Sequence, residues 1–298
     1  MDRVDAVIAG VNKAGTTSLF VSLSEHPDVV ASAIKETRYF LPARYGEALE
    51  PARVWEQYFA AAPDRPVRLE ATPSYFYGGA AVAHAFTAVL ERPRVVLVLR
   101  EPVARAVSFF EFQKVRLRFP VDLSIEEYLA EADAVGETVG REPETEKYMA
   151  VLGGRYADWL PEWWDVLGRD AVKIVWFEEL VSDGARVVQE VAAWLGLDPD
   201  RLPAVGLRSE NRTTGFRHAR LQRFALWCND TAERWLRRVP RLKRWLRSAY
   251  FRVNGRTGSG PEMSEAARAE LARRFFEPNA RLAALLDEAG IARPAWLR

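Results

Sequence analysis

Near the start of the chain, one short segment brings together a lysine, two glycines and three hydroxyl side chains: Ala6-Val7-Ile8-Ala9-Gly10-Val11-Asn12-Lys13-Ala14-Gly15-Thr16-Thr17-Ser18-Leu19. An apolar strand stops at Gly10 and an amphipathic helix begins around Gly15 to Ser18. A turn of this kind aims several backbone N–H groups and a helix N-terminus at one point, which makes a cradle for an anion. Gly10 and Gly15 have the spacing of the nucleotide loop G-x-x-x-x-G-K-[ST]. The lysine, however, lies inside the loop at Lys13, and Thr16 stands where it would normally be. That displacement argues against an ordinary ATP or GTP site and for another doubly anionic group.

A second cation follows an apolar run. Val95-Val96-Leu97-Val98-Leu99 reads as a strand buried on both faces of a parallel sheet, and Arg100-Glu101-Pro102 comes directly after it. Pro102 suits the first turn of a helix, with Ser108 two turns along. A kinase of the nucleotide-loop class would carry an aspartate near such a strand end to hold Mg²⁺. Here the tip is an arginine, suited to bidentate binding of phosphate; Glu101 or a helix end is the alternative partner for it. Two anion sites on one sheet, without a metal carboxylate, describe a nucleotide with anions at its 5′ and 3′ positions.

These segments need a scaffold, and the hydrophobic pattern supplies one. Strands are expected at Ala6–Gly10, Val29–Ser32, Val67–Leu69, Arg94–Leu99 and Val172–Trp176. Helices are expected at Thr16–Glu25, Pro51–Ala61, Gly79–Glu91, Pro102–Arg118, Ser124–Ala132, Tyr156–Leu167 and Ala185–Leu195. Such alternation predicts an α/β fold, a three-layer α/β/α arrangement around a mainly parallel sheet. Ligands of these sheets bind beyond the carboxyl ends of the strands, where the Lys13 loop and Arg100 both fall. After Pro203 the pattern is almost wholly helical. The expected organisation is therefore one domain over 1–298, with an α/β nucleotide-binding core at 1–203 and a helical, basic region at 204–298 that closes the site.

Composition excludes several classes. Of 298 residues, 49% are hydrophobic and 28% charged, which provides a core and argues against disorder. The charged start, Met1-Asp2-Arg3-Val4-Asp5, has no signal-peptide character, and no apolar run approaches the roughly 20 residues needed to span a bilayer. A soluble cytoplasmic protein is the expectation. Cys228 is the only cysteine and the three histidines are scattered, so neither a disulfide nor a thiolate zinc site is available. The net charge of +1 conceals an asymmetry: residues 217–256 hold twelve Lys or Arg against Asp230 and Glu233. With Trp227, Trp235, Trp245, Tyr250 and Phe251 interleaved, that stretch reads as a solvated helical face, a platform for an acidic substrate, or a membrane or nucleic-acid patch.

Lys13-Ala14-Gly15-Thr16-Thr17-Ser18 resembles the 5′-phosphosulfate loop of sulfotransferases that use 3′-phosphoadenosine 5′-phosphosulfate (PAPS). Arg100-Glu101-Pro102 with Ser108 resembles their 3′-phosphate element. The likeness extends to the branch containing heparan sulfate N- and 3-O-sulfotransferases, as a soluble member of bacterial type. It is carried by Leu23-Ser24-Glu25-His26-Pro27-Asp28-Val29, Lys35-Glu36-Thr37-Arg38-Tyr39-Phe40, Glu70-Ala71-Thr72-Pro73-Ser74-Tyr75-Phe76, Asn211-Arg212-Thr213-Thr214-Gly215-Phe216, Asn254-Gly255-Arg256 and Phe276-Glu277-Pro278-Asn279.

The resemblance implies transfer of a sulfuryl group from PAPS to a hydroxyl or amine of a glycan or small-molecule acceptor, leaving 3′-phosphoadenosine 5′-phosphate (PAP), with no metal. It implies Glu36 as the base, Lys13 as the cation at the leaving oxygen and Arg38 as an orienting group. Partial burial of Glu36 would raise its pKa toward that of a useful base. Lys13, Ala14, Gly15, Thr16, Thr17, Ser18, Arg100, Ser108, Gly255 and Arg256 would bind the donor. Glu70, Tyr75 and Phe40 are candidates on the acceptor side. The sequence departs from the family where Ala71 replaces a lysine, Asn254 replaces another, Arg38 stands where a histidine is frequent, and the C-terminal cysteine pair is missing. Peripheral contact with a membrane or a lipid-linked acceptor, through 221–252, is a further expectation; nucleic acid is not an expected partner. Two other readings fit parts of the chain: an NTP-dependent kinase built on the same loop, and a non-enzymatic nucleic-acid or membrane module built on 217–256.

Overall fold

The computed structural model describes residues 3–60, 62, 64–203, 215–216, 221–223, 255–256 and 263–298. Its centre is a sheet of five parallel strands, β1 (Val4–Gly10), β2 (Val29–Ala31), β3 (Val67–Ala71), β4 (Pro93–Leu99) and β5 (Val172–Trp176), in the order β2-β3-β1-β4-β5. All seven residues of β1 are buried, so both faces of the central strand are covered. The five expected strands are all present. The first starts earlier than its hydrophobic run, because the charged Asp5 is taken into the sheet rather than left outside it.

Asp5 lies opposite Arg68 in the β1–β3 ladder, and both are buried. Arg68 closes on the carboxylate through two bonds, Nε to Oδ1 at 2.5 Å and Nη2 to Oδ2 at 2.8 Å. The Glu91 amide donates to Oδ2 as well, at 2.9 Å, and the guanidinium lies 4.6 Å from the Trp55 ring centroid. A charge can enter a core only when paired and hydrogen-bonded in this way.

The helices that cover the sheet are α1 (Thr16–Ser24), α2 (Leu41–Arg44), α3 (Ala52–Glu56), α4 (Gly79–Val89), α5 (Pro102–Val115), α6 (Ile125–Val135), α7 (Leu160–Leu167), α8 (Phe177–Ser182) and α9 (Gly184–Trp194), followed by a C-terminal helix, Glu265–Glu288. Two expected helices are broken. The 51–61 segment is α3 followed by a 3₁₀ turn at Gln57–Phe59. The 156–167 segment begins as a 3₁₀ turn, and α7 proper starts beside Pro161, a residue that fits only a first turn. The helix expected to run to Arg118 ends at Val115, and Leu117 has a left-handed φ of 56°. Ser124 and Glu127 form a capping box that starts α6.

The C-terminal helix buries Leu271, Phe275, Leu282 and Leu286 against α5 and the turn Tyr156–Asp158. Gly215–Phe216 pairs antiparallel with Gly255–Arg256, and the Gln222 side chain donates to the carbonyl of Val115 at 2.7 Å. Most of the basic stretch 217–256, and Cys228 within it, lies outside the described residues. Among the described residues no helix is long and apolar enough to cross a membrane.

Truncating Arg68 to Met should leave the Asp5 carboxylate buried without its partner. The expected loss is about 3–5 kcal/mol of stability, read as a shifted chemical-denaturation midpoint; a loss below about 1 kcal/mol would mean that water or a neighbour replaces the guanidinium.

Candidate functional site

The sheet order creates the site. From β1 the chain crosses to β2 and returns through β3, then passes to the other side of β1 for β4. Loops leaving β1 and β4 therefore diverge, opening the crevice that such sheets use for ligands. Gly10 ends β1 where a side chain has no room, since a Cβ there would lie 2.9 Å from Phe76 Cβ. Gly15 begins α1 with φ at 79°, the left-handed region in which glycine is not penalised.

Among the described residues no side chain caps α1, whose N-terminal end faces the crevice. The neighbouring helix behaves oppositely. Glu101 caps α5 by accepting from the amides of Val103 and Ala104 at 2.9 and 2.6 Å. The carboxylate beside Arg100 is thus occupied with the helix end, and Glu101 is not Arg100's hydrogen-bond partner.

Arg100 instead donates from Nη1 to the Lys13 carbonyl at 2.9 Å, and its guanidinium lies 4.5 Å from the Phe177 ring centroid. The two cationic segments predicted from sequence are therefore joined directly. The Lys13 ammonium sits 4.4 Å from the centroid of the Phe112 ring. Burial, reinforced by the charges of Arg100 and Lys35 and opposed by Glu36, brings its pKa down to about 8. Burial likewise holds Arg100 below the usual guanidinium range, with the Glu178 carboxylate opposing it. Ala14, Thr16 and Ser18 are buried and Thr17 half-buried around the start of α1, while Ser108 is half-buried in the second turn of α5. Gly255 and Arg256 are described only as backbone, in the two-residue strand facing Gly215–Phe216.

The segment after β2 supplies the third edge. Glu36 and Arg38 both adopt left-handed φ, 64° and 59°. The Glu36 side chain is 41% exposed and forms an ion pair with Lys35 at 2.9 Å, while Arg38, 59% exposed, approaches its other oxygen at 4.0 Å. Glu36 is thus partly buried, its carboxylate flanked by Lys35 and Arg38.

The buried carboxylate of this corner is Glu70, at the end of β3 and 0% exposed. Desolvation pushes its pKa up to about 7 against the hydrogen bonds of Thr72 and Thr37. Tyr75 and Phe40 are equally enclosed, so a direct contact with an acceptor is not open to Glu70, Tyr75 or Phe40 in this structure. Sequence reasoning missed Phe112 and Phe177, the rings beneath the two cations, and Tyr156, whose hydroxyl donates to the Arg100 carbonyl at 2.7 Å. They arrive from separate helices and turns, and no local spacing marks them. Among the described residues no cluster of His, Cys, Asp or Glu could hold a metal ion.

The sulfotransferase domain, as a family, matches residues 3–222. The chain is 23% identical over 300 residues to the mouse bifunctional heparan sulfate N-deacetylase/N-sulfotransferase 4, a match covering 98% of this chain and 31% of that protein. It is 31% identical over 195 residues to the human heparan sulfate glucosamine 3-O-sulfotransferase 6, covering 64% of this chain and 52% of the other. It thus spans about a third to a half of the length of these relatives. Among solved structures, a sulfotransferase from Alicyclobacillus acidocaldarius superposes over 100% of both chains with a TM-score of 0.68 at 24% identity, a likeness of fold. With the family matched over most of its length, the chain belongs to the sulfotransferase domain family.

Proposed function

We propose that this chain transfers a sulfuryl group from PAPS to a hydroxyl or amine of a glycan or small-molecule acceptor. The observation that carries the reading is the bond from Arg100 to the Lys13 carbonyl. It couples two cationic segments beside a helix N-terminus that no side chain among the described residues caps. Two cations set beside a helix N-terminus suit a nucleotide charged at both ends.

In this reading the amides of Gly15, Thr16 and Thr17, with the hydroxyls of Thr17 and Ser18, hold the 5′ group. Arg100 and Ser108 take the 3′-phosphate, and Gly255 and Arg256 help enclose it. PAPS would supply the activated sulfuryl group and leave as PAP. Lys13 stabilises negative charge developing on the leaving oxygen, which a preorganised cation in a poorly solvated pocket does well. Glu36 accepts the proton of the acceptor from its partly buried position, and Arg38 orients the acceptor or the sulfuryl oxygens. The region 204–298 closes over the core, a role supported by the bond of Gln222 to α5 and by the packing of the C-terminal helix on the same element.

Calorimetry should show PAP binding without Mg²⁺, and much weaker binding of AMP and ATP. Arg100→Ala should cost about 2–5 kcal/mol of that affinity. Tighter binding of ATP with Mg²⁺ would favour a kinase instead, and binding of DNA or anionic vesicles without either nucleotide would favour a non-enzymatic module.

The lowered Lys13 pKa gives the affinity a pH dependence. The free site loses the ammonium proton as pH rises through about 8, whereas an anion bound beside it retains that proton. Affinity should therefore hold at pH 7 and fall above 8 by up to about tenfold per unit. Lys13→Arg, charged throughout, should give a flat profile; a wild-type curve equally flat would exclude Lys13 from the anion site. Glu36→Gln should abolish transfer, measured as the gain of one SO₃ by mass spectrometry, while leaving PAP affinity within about twofold. A lost nucleotide affinity would remove Glu36 from the base role.

A further inference from the structure

The segment 36–40 has no regular structure of its own, yet all five of its backbone N–H groups are engaged, four by residues 70–75 and one by its own Thr37. Glu36 N donates to the Ala71 carbonyl at 2.9 Å. Thr37 N donates to Glu70 Oε1 at 3.2 Å and Arg38 N to Thr72 Oγ1 at 3.3 Å. Tyr39 N donates to Thr37 Oγ1 at 3.3 Å, and Phe40 N to the Tyr75 hydroxyl at 3.2 Å.

The carboxylate of Glu70 sets the direction of this network. Its Oε1 accepts the hydroxyl of Thr37 at 3.1 Å and that of Thr72 at 2.5 Å, in addition to the Thr37 amide. With their hydrogens committed to Glu70, both threonine oxygens face the backbone as acceptors. The Tyr75 hydroxyl, 3.3 Å from Thr37 Oγ1, is then left to donate to that oxygen while it accepts from Phe40 N. Oε1 already accepts three hydrogens, so each hydroxyl directed at it is left one orientation. Glu70 Oε2 is buried and has no hydrogen-bond partner among the described residues. The segment so held includes two non-glycine residues, Glu36 and Arg38, in left-handed backbone that only surrounding structure can maintain.

We propose that Glu70 is a positioning residue for sulfuryl transfer: by directing the hydroxyls of Thr37, Thr72 and Tyr75 it holds residues 36–40, and so presents the Glu36 carboxylate and Arg38 guanidinium beside the Lys13 loop. Glu70 touches neither donor nor acceptor. The inference rests on Glu36 and Arg38 acting as proposed above.

The test is a comparison of kcat, acceptor KM and PAP affinity. In Glu70→Gln the amide oxygen is a weaker, uncharged acceptor, and the flipped amide turns its hydrogens toward Thr37 and Thr72, so the hydroxyls lose their single direction. We expect kcat to fall at least about tenfold, with PAP affinity and the acceptor KM within about threefold of wild type. A Glu70→Gln enzyme with kcat within twofold of wild type overturns the proposal, as does a fall in PAP affinity that parallels the fall in kcat. If that variant does not fold, Thr37 decides. Thr37→Val removes the hydroxyl at constant shape and should lower kcat about tenfold, whereas Thr37→Ser should restore it; equal rates for the two overturn the proposal. Glu36→Gln separates this failure from that of the underlying reading. A Glu36→Gln enzyme running at the wild-type rate sinks the base assignment and this inference with it, whereas an inactive Glu36→Gln beside a fully active Glu70→Gln sinks only the positioning role.

Discussion

Two positive charges are kept close together at the carboxyl edge of the sheet, and the adjacency of β1 and β4 forces them there. Strands that neighbour each other in a parallel sheet deliver their following loops to the same edge, some 5 Å apart in the hydrogen-bonding direction. The Lys13 loop leaves one strand, Arg100 the other, and the guanidinium reaches across to the lysine carbonyl. Repulsion between the cations is moderated by the rings of Phe112 and Phe177, which lie beside them without neutralising them. What remains is a region of positive potential in a poorly hydrated crevice, where each charge acts more strongly than it would in water.

The rest of the architecture keeps that potential open to a ligand. Glu101, the nearest carboxylate in sequence to Arg100, is spent on the amides at the start of α5. Among the described residues α1 has no such cap, so the two helix N-termini at the same edge differ. The carboxylates that remain in this corner divide by environment. Glu36 lies beside Lys35 and Arg38, whereas Glu70 lies inward among hydroxyl donors. One corner thus holds two acids in opposite surroundings, one flanked by cations and one buried among hydrogen bonds.

Elsewhere on the sheet the same physics serves stability. Asp5 and Arg68 close on each other across β1 and β3, with an aromatic ring and a backbone amide completing their surroundings. That pair is satisfied from within the chain by charge-assisted bonds, whereas Arg100 meets the Lys13 carbonyl and the Phe177 ring.

The amino-acid sequence alone determined the five strands, the positions of most helices and the two cationic segments, because these follow from local periodicity, glycine geometry and residue type. The pattern at Val95–Leu99 could only be a buried strand, and Lys13 between Gly10 and Gly15 could only be a turn with a charge in it. Tertiary structure alone decided what surrounds those residues. It placed Phe112 and Phe177 beneath the cations, left Glu36 partly buried, enclosed Glu70, and took Asp5 into the core. Burial, pairing and hydrogen-bond direction are properties of neighbours that lie far apart along the chain, so no stretch of sequence carries them; they come into being only when the strands assemble.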